Sequence, residues 1–204
     1  MPEGARSQAF LRQYEEKMVG PREEYLASHF PGRKFSDLSP DEQEEVAEYA
    51  NEFAVEWWLS FDDKRFDEET LSPREMAANV AYKINHLVNL PKFMPDNGSV
   101  DLLSVGHKTS TEAFLKFALE RVANGDVVTG FENLVEIGGS LKILDSWELV
   151  AKTDSQGQLQ VSLTIRRENG DTQVCSISRE ILRQLSLEYI KSHDLNIKKI
   201  DCLD

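Results

Sequence analysis

Three consecutive polar residues, His107, Lys108 and Thr109, form the part of this sequence that is most informative about chemistry. An imidazole is the side chain most often used in proton transfer near neutral pH, and it can also donate a hydrogen bond to an anion. What His107 can do depends on the elements that position it.

The neighbouring sequence places these residues between a strand and a helix. The apolar run over 100–105 is typical of a strand covered on both faces, and a glycine follows it. Thr109 and Glu112 have the spacing of a capping box, which predicts a helix with Thr109 as N-cap that continues to about Ala123. Because N–H groups at a helix N-terminus attract anions, and ligands bind at the carboxyl edge of α/β sheets, we expect His107 to face a phosphate.

The preceding part of the chain is predicted to be mainly helical. The charged segment 3–30 is interrupted at Gly20-Pro21, which predicts two helical pieces joined by a turn. Serine–proline pairs begin the next two helices, at Ser39-Pro40 and at Ser72-Pro73, and the second of these should end near Leu90. The positions expected to face a core are Tyr14, Met18, Tyr25, Leu26, Val46, Ala50, Phe53, Trp57, Trp58, Phe61, Met76, Val80, Ile84, Leu87 and Val88.

Beyond Gly125 the apolar pattern changes to that of short strands separated by turns. Gly138-Gly139 fits a hairpin turn or bulge, because it lacks the spacing of a phosphate-binding loop. Ser178 is predicted to cap a closing helix that turns Leu182, Leu185 and Tyr189 inward. The predicted strands are 134–137, 140–144, 147–151, 158–166 and 173–177.

A helix from Ser72, a turn, a strand and a histidine-bearing turn succeed one another in an order that resembles the C-terminal half of the histidine phosphatase superfamily, which has the phosphoglycerate mutase-like fold. The matching string is Ser-Val-Gly-His-Lys over 104–108, preceded by Glu75 near the start of the helix. The resemblance is sharpest over 75–119 and extends loosely back to Phe35. It implies that His107 enters a phosphate pocket as a catalytic residue, with Lys108 and Thr109 binding the phosphate.

This chain also departs from the family pattern. The family's nucleophile lies in an Arg-His-Gly motif, which this sequence does not contain, and Lys108 stands where the family usually has glycine. Either the chain is a C-terminal portion without the first βαβ unit, or it belongs to a branch that has lost the phosphohistidine step. Because that step needs an imidazole in line with phosphorus, we expect phosphomonoester hydrolysis to be weak or absent in this chain alone, and its status as an enzyme stays open.

The other polar groups are better explained as structural. His86 lies between apolar residues of a helix and is expected to be a buried or half-buried structural histidine. The carboxylates of 62–69 lack the spacing of a hard-cation site and fit a solvated loop, so no metal or other cofactor is predicted. Cys175 and Cys202 have neither the number nor the spacing of a disulfide framework or a zinc site.

The charge of the chain restricts its partners. The 204 residues carry a net charge of −13, and the segment up to Glu75 holds nine Lys and Arg against nineteen Asp and Glu. Nucleic acid and anionic membrane surfaces would be repelled, whereas a small phosphorylated ligand or a protein partner fits. With no apolar run of about 18 residues and two unpaired cysteines, we expect a soluble, cytoplasmic protein.

Together these patterns predict one α/β domain over 1–204, mainly helical over 1–95, with a strand–helix unit, antiparallel strands and a closing helix over 96–204. The resemblance implies a partly parallel sheet flanked by helices, phosphoglycerate mutase-like and N-terminally incomplete, with an antiparallel C-terminal extension. The predicted function is that of a histidine phosphatase-like protein with a phospho-ligand pocket around His107. The alternative is a non-catalytic interaction or scaffold module whose acidic helical N-terminus binds a basic partner. The oligomeric state stays open.

Overall fold

The structure is a computed structural model, and it describes residues 6–89, 108–123, 125–142, 145–153 and 159–195. The strand expected over 100–105 lies outside these ranges. The chain forms two compact units: unit 1 consists of Met1–Pro73 and Asn133–Ser140, and unit 2 of Arg74–Glu132 and Leu141–Asp204. Among the described helices, none combines the length and the apolar character that crossing a membrane requires.

Unit 1 is built on a pair of helices, α1 (Gln8–His29) and α2 (Pro40–Leu59), with a short 3-10 helix at Phe35–Asp37 between them. The predicted start of α2 is confirmed. The Ser39 hydroxyl accepts a hydrogen bond from the Glu42 N–H, and the Glu42 carboxylate accepts one from the Ser39 N–H, which completes a capping box.

The two helical pieces expected before residue 30 are one continuous helix, with Pro21 inside it. A proline removes one backbone hydrogen bond and normally kinks or breaks a helix. Here α1 is tied to α2 on both sides of the proline. Tyr14 donates a hydrogen bond to Asn51 at 2.8 Å before it, and Tyr25 donates one to Glu45 at 2.5 Å after it. These tertiary contacts offset the local preference for a break.

The core side of α2 differs in part from the expected one. Val46, Ala50 and Trp58 are buried, in agreement with the apolar spacing. Phe53 was expected to be buried, but 41 % of its surface is exposed, and Trp57 is only half-buried. The apolar stripe of α2 is therefore wider than the surface that α1 covers.

The segment 134–137 was expected to be a strand, and it is a 3-10 helix instead (Leu134–Ile137). Its two ends explain the difference, because Leu134 and Ile137 are three residues apart and both are fully buried, which a helical turn permits and an alternating strand does not. The strand expected over 140–144 is likewise absent from its described part, 140–142.

Unit 2 holds a five-stranded sheet in the order β2-β1-β5-β4-β3, and every pairing among these described strands is antiparallel. The partly parallel sheet is therefore not found in the described part of the chain. The alternation of apolar and polar residues predicted the last three strands correctly. The strands are β1 (Leu119–Ala123), β2 (Asp126–Thr129), β3 (Ser146–Thr153), β4 (Leu159–Arg166) and β5 (Thr172–Ile177).

The hairpin formed by β1 and β2 was not predicted. The helix α4 (Lys108–Ala118) was expected to continue to Ala123, but the chain changes to strand at Leu119, which pairs with Ile177 of β5. Cross-strand pairing and burial of Leu119 outweigh the helical preference of this segment, which contains the good helix formers Leu119, Glu120 and Arg121. At the end of the hairpin, Gly130 has a positive φ, and a Cβ there would lie 2.2 Å from the Lys116 carbonyl oxygen, so only glycine fits.

Two further helices, α3 (Pro73–Asn89) and α5 (Arg179–Ser192), begin where the serine signals predict. The Ser178 hydroxyl caps α5 by accepting the Ile181 N–H. The helices are joined by a bidentate ion pair in which Arg74 donates to Glu188 at 2.7 and 2.9 Å. Desolvation by burial would raise the pKa of Glu188, but the hydrogen bond and charge of Arg74, with smaller contributions from Gln184 and Lys191, together lower it below its usual value.

Asp145 fixes the start of β3 to the turn between β4 and β5. Its carboxylate accepts hydrogen bonds from the Lys142 N–H, the Glu168 N–H and the Arg167 guanidinium, all between 2.8 and 2.9 Å. Burial would raise the pKa of Asp145, but these three hydrogen bonds together lower it below its usual value. Because the aspartate side chain is only 1 % exposed, this network is shielded from water.

We predict that Asp145→Ala destabilises the protein by about 3–5 kcal/mol, because it removes, at a site shielded from water, the carboxylate that accepts hydrogen bonds from Lys142, Glu168 and Arg167. The measurement is the free energy of unfolding in urea at pH 7. The matched control is Glu148→Ala, which breaks the exposed pair with Arg166 on the same strands and should cost less than about 1 kcal/mol. Similar losses in the two variants would contradict the prediction.

The lowered pKa of Asp145 predicts that the stability of the folded protein depends on pH. Its pKa is lowered on folding, so its contribution to stability is complete above the usual aspartate pKa of about 3.9 and is lost as the pH falls through the lower pKa of the folded state. The stability difference between the natural chain and Asp145→Ala should therefore shrink below about pH 4. A difference that stays constant down to pH 2 would show that ionisation of Asp145 has no part in it.

Candidate functional site

The predicted phosphate site is described only in part. His107 lies outside the described residues. Lys108 is the first residue of α4, and Thr109 is half-buried within the first helical turn. Thr109 was expected to be the N-cap before the helix, and this position is at least two residues too late. The Glu112 carboxylate is fully buried and accepts the Leu141 N–H at 2.8 Å, a contact between distant segments that capping-box spacing does not predict.

The three described histidines are exposed on helices. His86 was expected to be buried or half-buried, and this is wrong, because the ring lies on the exposed side of α3. In His29, His86 and His193 alike, Nδ1 is within hydrogen-bond distance of the carbonyl oxygen four residues earlier, at 2.9 to 3.2 Å. In each case that earlier residue is a tyrosine, whose ring contacts the histidine ring. This arrangement leaves Nε2 of each ring directed away from the backbone contact.

The carboxylates of 62–69 have a structural role at one position. Asp67 accepts hydrogen bonds from the Ser7 hydroxyl and from the Thr70 N–H, and so connects the start of α1 to the segment after α2. Within the described ranges, no group of three or more His, Cys, Asp or Glu side chains is arranged to hold a metal ion.

A row of aromatic rings lies across the α1–α2 pair of unit 1, and we call it the aromatic strip. Tyr25 stacks on His29 with ring centroids 3.9 Å apart and contacts Tyr49 at 4.5 Å. Tyr49 in turn contacts Phe53 at 5.2 Å. Because His29 and Phe53 are exposed and the two tyrosines are half-buried, the strip presents aromatic surface to solvent.

Carboxylates adjoin the aromatic strip. The exposed Glu45 accepts the Tyr25 hydroxyl at 2.5 Å, and this hydrogen bond to the carboxylate is the main reason why the pKa of Tyr25 is raised to about 12. One turn earlier on α2, hydrogen bonds from Arg33 and from the Ser39 N–H lower the pKa of Glu42 to about 2. The Glu42 carboxylate therefore stays ionised over the whole physiological pH range.

The distribution of charge between the two units is uneven. Unit 1 carries eight Lys and Arg against nineteen Asp and Glu, a balance of −11, whereas unit 2 carries fifteen against seventeen, a balance of −2. The aromatic strip thus belongs to the unit with most of the negative charge. Aromatic faces and carboxylates both attract cations, so this surface is suited chemically to lysine and arginine side chains.

Sequence reasoning recognised the acidic helices but missed the aromatic strip. Tyr25 and Phe53 were both assigned to the core because they fall at apolar helical positions. The signal that could have found the strip is the repeated spacing of four residues, Tyr25 with His29 and Tyr49 with Phe53, since residues four apart lie on one helix face.

Comparison of the chain with protein-family models, with curated proteins and with solved structures gives no match.

We predict that Glu45→Gln lowers the pKa of Tyr25 from about 12 toward the usual tyrosine value near 10, because the phenol then loses its hydrogen bond to a charged acceptor. The measurement is a pH titration of ¹³C-labelled tyrosine rings by NMR. Tyr25→Phe identifies the resonance, and Glu168→Gln, which removes one charge from unit 2, is the control. A Tyr25 pKa that is the same in Glu45→Gln and in the natural chain would contradict the assigned cause.

Proposed function

We propose that the chain is an interaction module that binds a basic protein segment on the acidic helical pair of unit 1. The observation that carries this proposal is the aromatic strip beside ionised carboxylates, in a unit with a balance of −11. Acidic charge alone attracts any polycation. Exposed rings add short-range contacts that depend on where the cation sits.

The strip supplies two kinds of contact to a lysine or arginine side chain. Its exposed member Phe53 offers a ring face to the cation, and the aliphatic stem of a long basic side chain can cover the neighbouring ring of Tyr49. Glu45 holds the Tyr25 ring in place through the phenol hydroxyl and keeps a negative charge at the edge of the strip. The carboxylates therefore attract the basic segment over a long range, and the aromatic rings position its lysine and arginine side chains.

We predict that Phe53→Ala weakens the binding of hexalysine and hexaarginine peptides about two- to fivefold, because a cation–π contact at an exposed site contributes about 0.5–1 kcal/mol. The measurement is isothermal titration calorimetry at 50 and 300 mM NaCl, and the affinity should fall at the higher salt concentration. The control is Val135→Ala, which removes another exposed apolar side chain of unit 1.

Two outcomes would contradict this proposal. The first is that neither peptide binds at 50 mM NaCl. The second is that Val135→Ala weakens binding as much as Phe53→Ala does, because the rings would then have no particular role.

A second candidate function follows from the start of α4. We propose that His107, Lys108 and Thr109 bind a phosphate or a phosphorylated ligand at the N-terminus of this helix. The supporting observation is that α4 begins at Lys108, so the first-turn N–H groups, which have no intrahelical partner, follow His107 directly. Because the sequence has no Arg-His-Gly motif to supply a nucleophile, we propose binding with little or no turnover.

We predict that inorganic phosphate and vanadate shift the amide resonances of Thr109 and Ser110 in a ¹H–¹⁵N NMR titration, and that His107→Ala abolishes these shifts. His86→Ala, an exposed histidine on α3, is the control and should leave them unchanged. Hydrolysis of p-nitrophenyl phosphate should be weak or absent. Absence of amide shifts at millimolar phosphate would eliminate the site. Fast hydrolysis that depends on His107 would contradict the proposal that this chain has little or no turnover.

A further inference from the structure

The outer face of the sheet in unit 2 carries three widely exposed valines, and we call them the valine face. Val122 of β1, Val127 of β2 and Val174 of β5 are 74 %, 71 % and 71 % exposed. Val122 and Val127 are directly opposite each other in the β1–β2 pairing. The β1–β5 pairing ends with Glu120 opposite Ser176, and Val174 lies two residues before Ser176 on the same side of β5. The three valines thus lie on one side of three neighbouring strands.

The opposite face of these strands is the core of unit 2. Leu119, Ile177 and Leu163 point inward and are buried, so alternation along each strand directs the valines outward. Most outer positions near the valines are small or β-branched and uncharged, namely Thr129, Ser162, Thr164 and Ser176, and Glu120 is the charged exception. The surface thus combines three exposed valines with short hydroxyl side chains and little charge.

The charge of this face distinguishes it from the rest of the molecule. Glu148 and Arg166 form an ion pair at 2.9 Å near one side of the face, which leaves Glu120 as the single uncompensated charge among its described side chains. In a chain with a net charge of −13, two copies repel each other least where the local charge is smallest. A basic partner, in contrast, is drawn to unit 1.

We propose that the valine face is an interface between two copies of this chain, packed sheet against sheet about a two-fold axis. A two-fold axis brings the same patch of both copies together, so the valine face of one copy meets the valine face of the other. Sheets stack face to face at about 10 Å, a spacing that side chains of this size fill.

The area of the face fits a weak dimer. Five strands about 4.8 Å apart and about six residues long on average, at roughly 3.3 Å per residue, give a face of about 480 Å² for each copy. Two such faces together bury about 950 Å², which is below the roughly 1,200 Å² of a standard stable interface. We therefore expect a dimer that forms at high micromolar concentration and dissociates on dilution.

The test is sedimentation velocity of the full chain between about 5 μM and 1 mM, with the double variant Val122→Lys/Val174→Lys. The natural chain should change from monomer to dimer over this range. The double variant should raise the dimer dissociation constant about 100-fold, because the two-fold axis brings four new positive charges together. Val135→Lys, which places a lysine at an exposed valine of unit 1, is the control and should leave the dissociation constant unchanged.

Circular dichroism and the urea midpoint show whether each variant folds. If the lysine variant does not, Val122→Thr/Val174→Thr keeps the β-branched shape and should weaken the dimer without added charge. A chain that stays monomeric at 1 mM would overturn the proposal. A dimer that is equally stable in the valine-face variants would overturn it as well, and so would a dimer that Val135→Lys disrupts equally.

Discussion

Carboxylate side chains hold the backbone of the connection between β2 and β3, and both units depend on them. Backbone N–H groups need acceptors, and a connection whose only regular element is the short 3-10 helix Leu134–Ile137 must find most of them in side chains. This chain supplies them from acidic side chains, at distances of 2.8 to 3.2 Å. The N–H groups of Asn133, Leu134, Ser140, Leu141 and Lys142 donate to Glu136, Glu56, Glu52, Glu112 and Asp145, in that order.

These contacts make unit 1 non-local. Glu56 and Leu134 are 78 positions apart in the sequence, and Glu52 and Ser140 are 88 apart. The helices α1 and α2 therefore cannot bury the segment Asn133–Ser140 until the chain has been synthesised beyond it. Closing such long loops costs entropy before the contacts form. Burial of Leu134 and Ile137 at the centre of the segment offsets that cost. A few glutamates thus act inside the fold, whereas most of the 36 acidic residues determine surface charge.

Local chemistry could be predicted from the sequence, and long-range contacts could not. Serine hydroxyls at Ser39 and Ser178 determine where helices begin, and strict alternation determines β4, because each signal acts within a few residues.

Pro21 was misjudged because contacts between α1 and α2 hold the helix across it. The β1–β2 hairpin was missed although an Asn-Gly pair, a strong hairpin signal, separates its strands. At the candidate sites, the start of α4 was predicted two residues too late, whereas the aromatic strip could not be predicted because it depends on how far α1 covers α2.

Because charge is distributed unequally, salt should affect the two proposed surfaces in opposite directions. At an ionic strength of 0.15 M the screening length is about 8 Å. Added salt therefore weakens the attraction between the acidic helices and a basic segment, and it also weakens the repulsion between two copies of a chain with a charge of −13. Binding of cations and pairing of the valine face therefore respond to salt in opposite directions. They are also linked, because a bound basic segment neutralises part of the charge that keeps two copies apart. By the reciprocity of binding free energies, self-association then strengthens binding of the basic segment by the same factor.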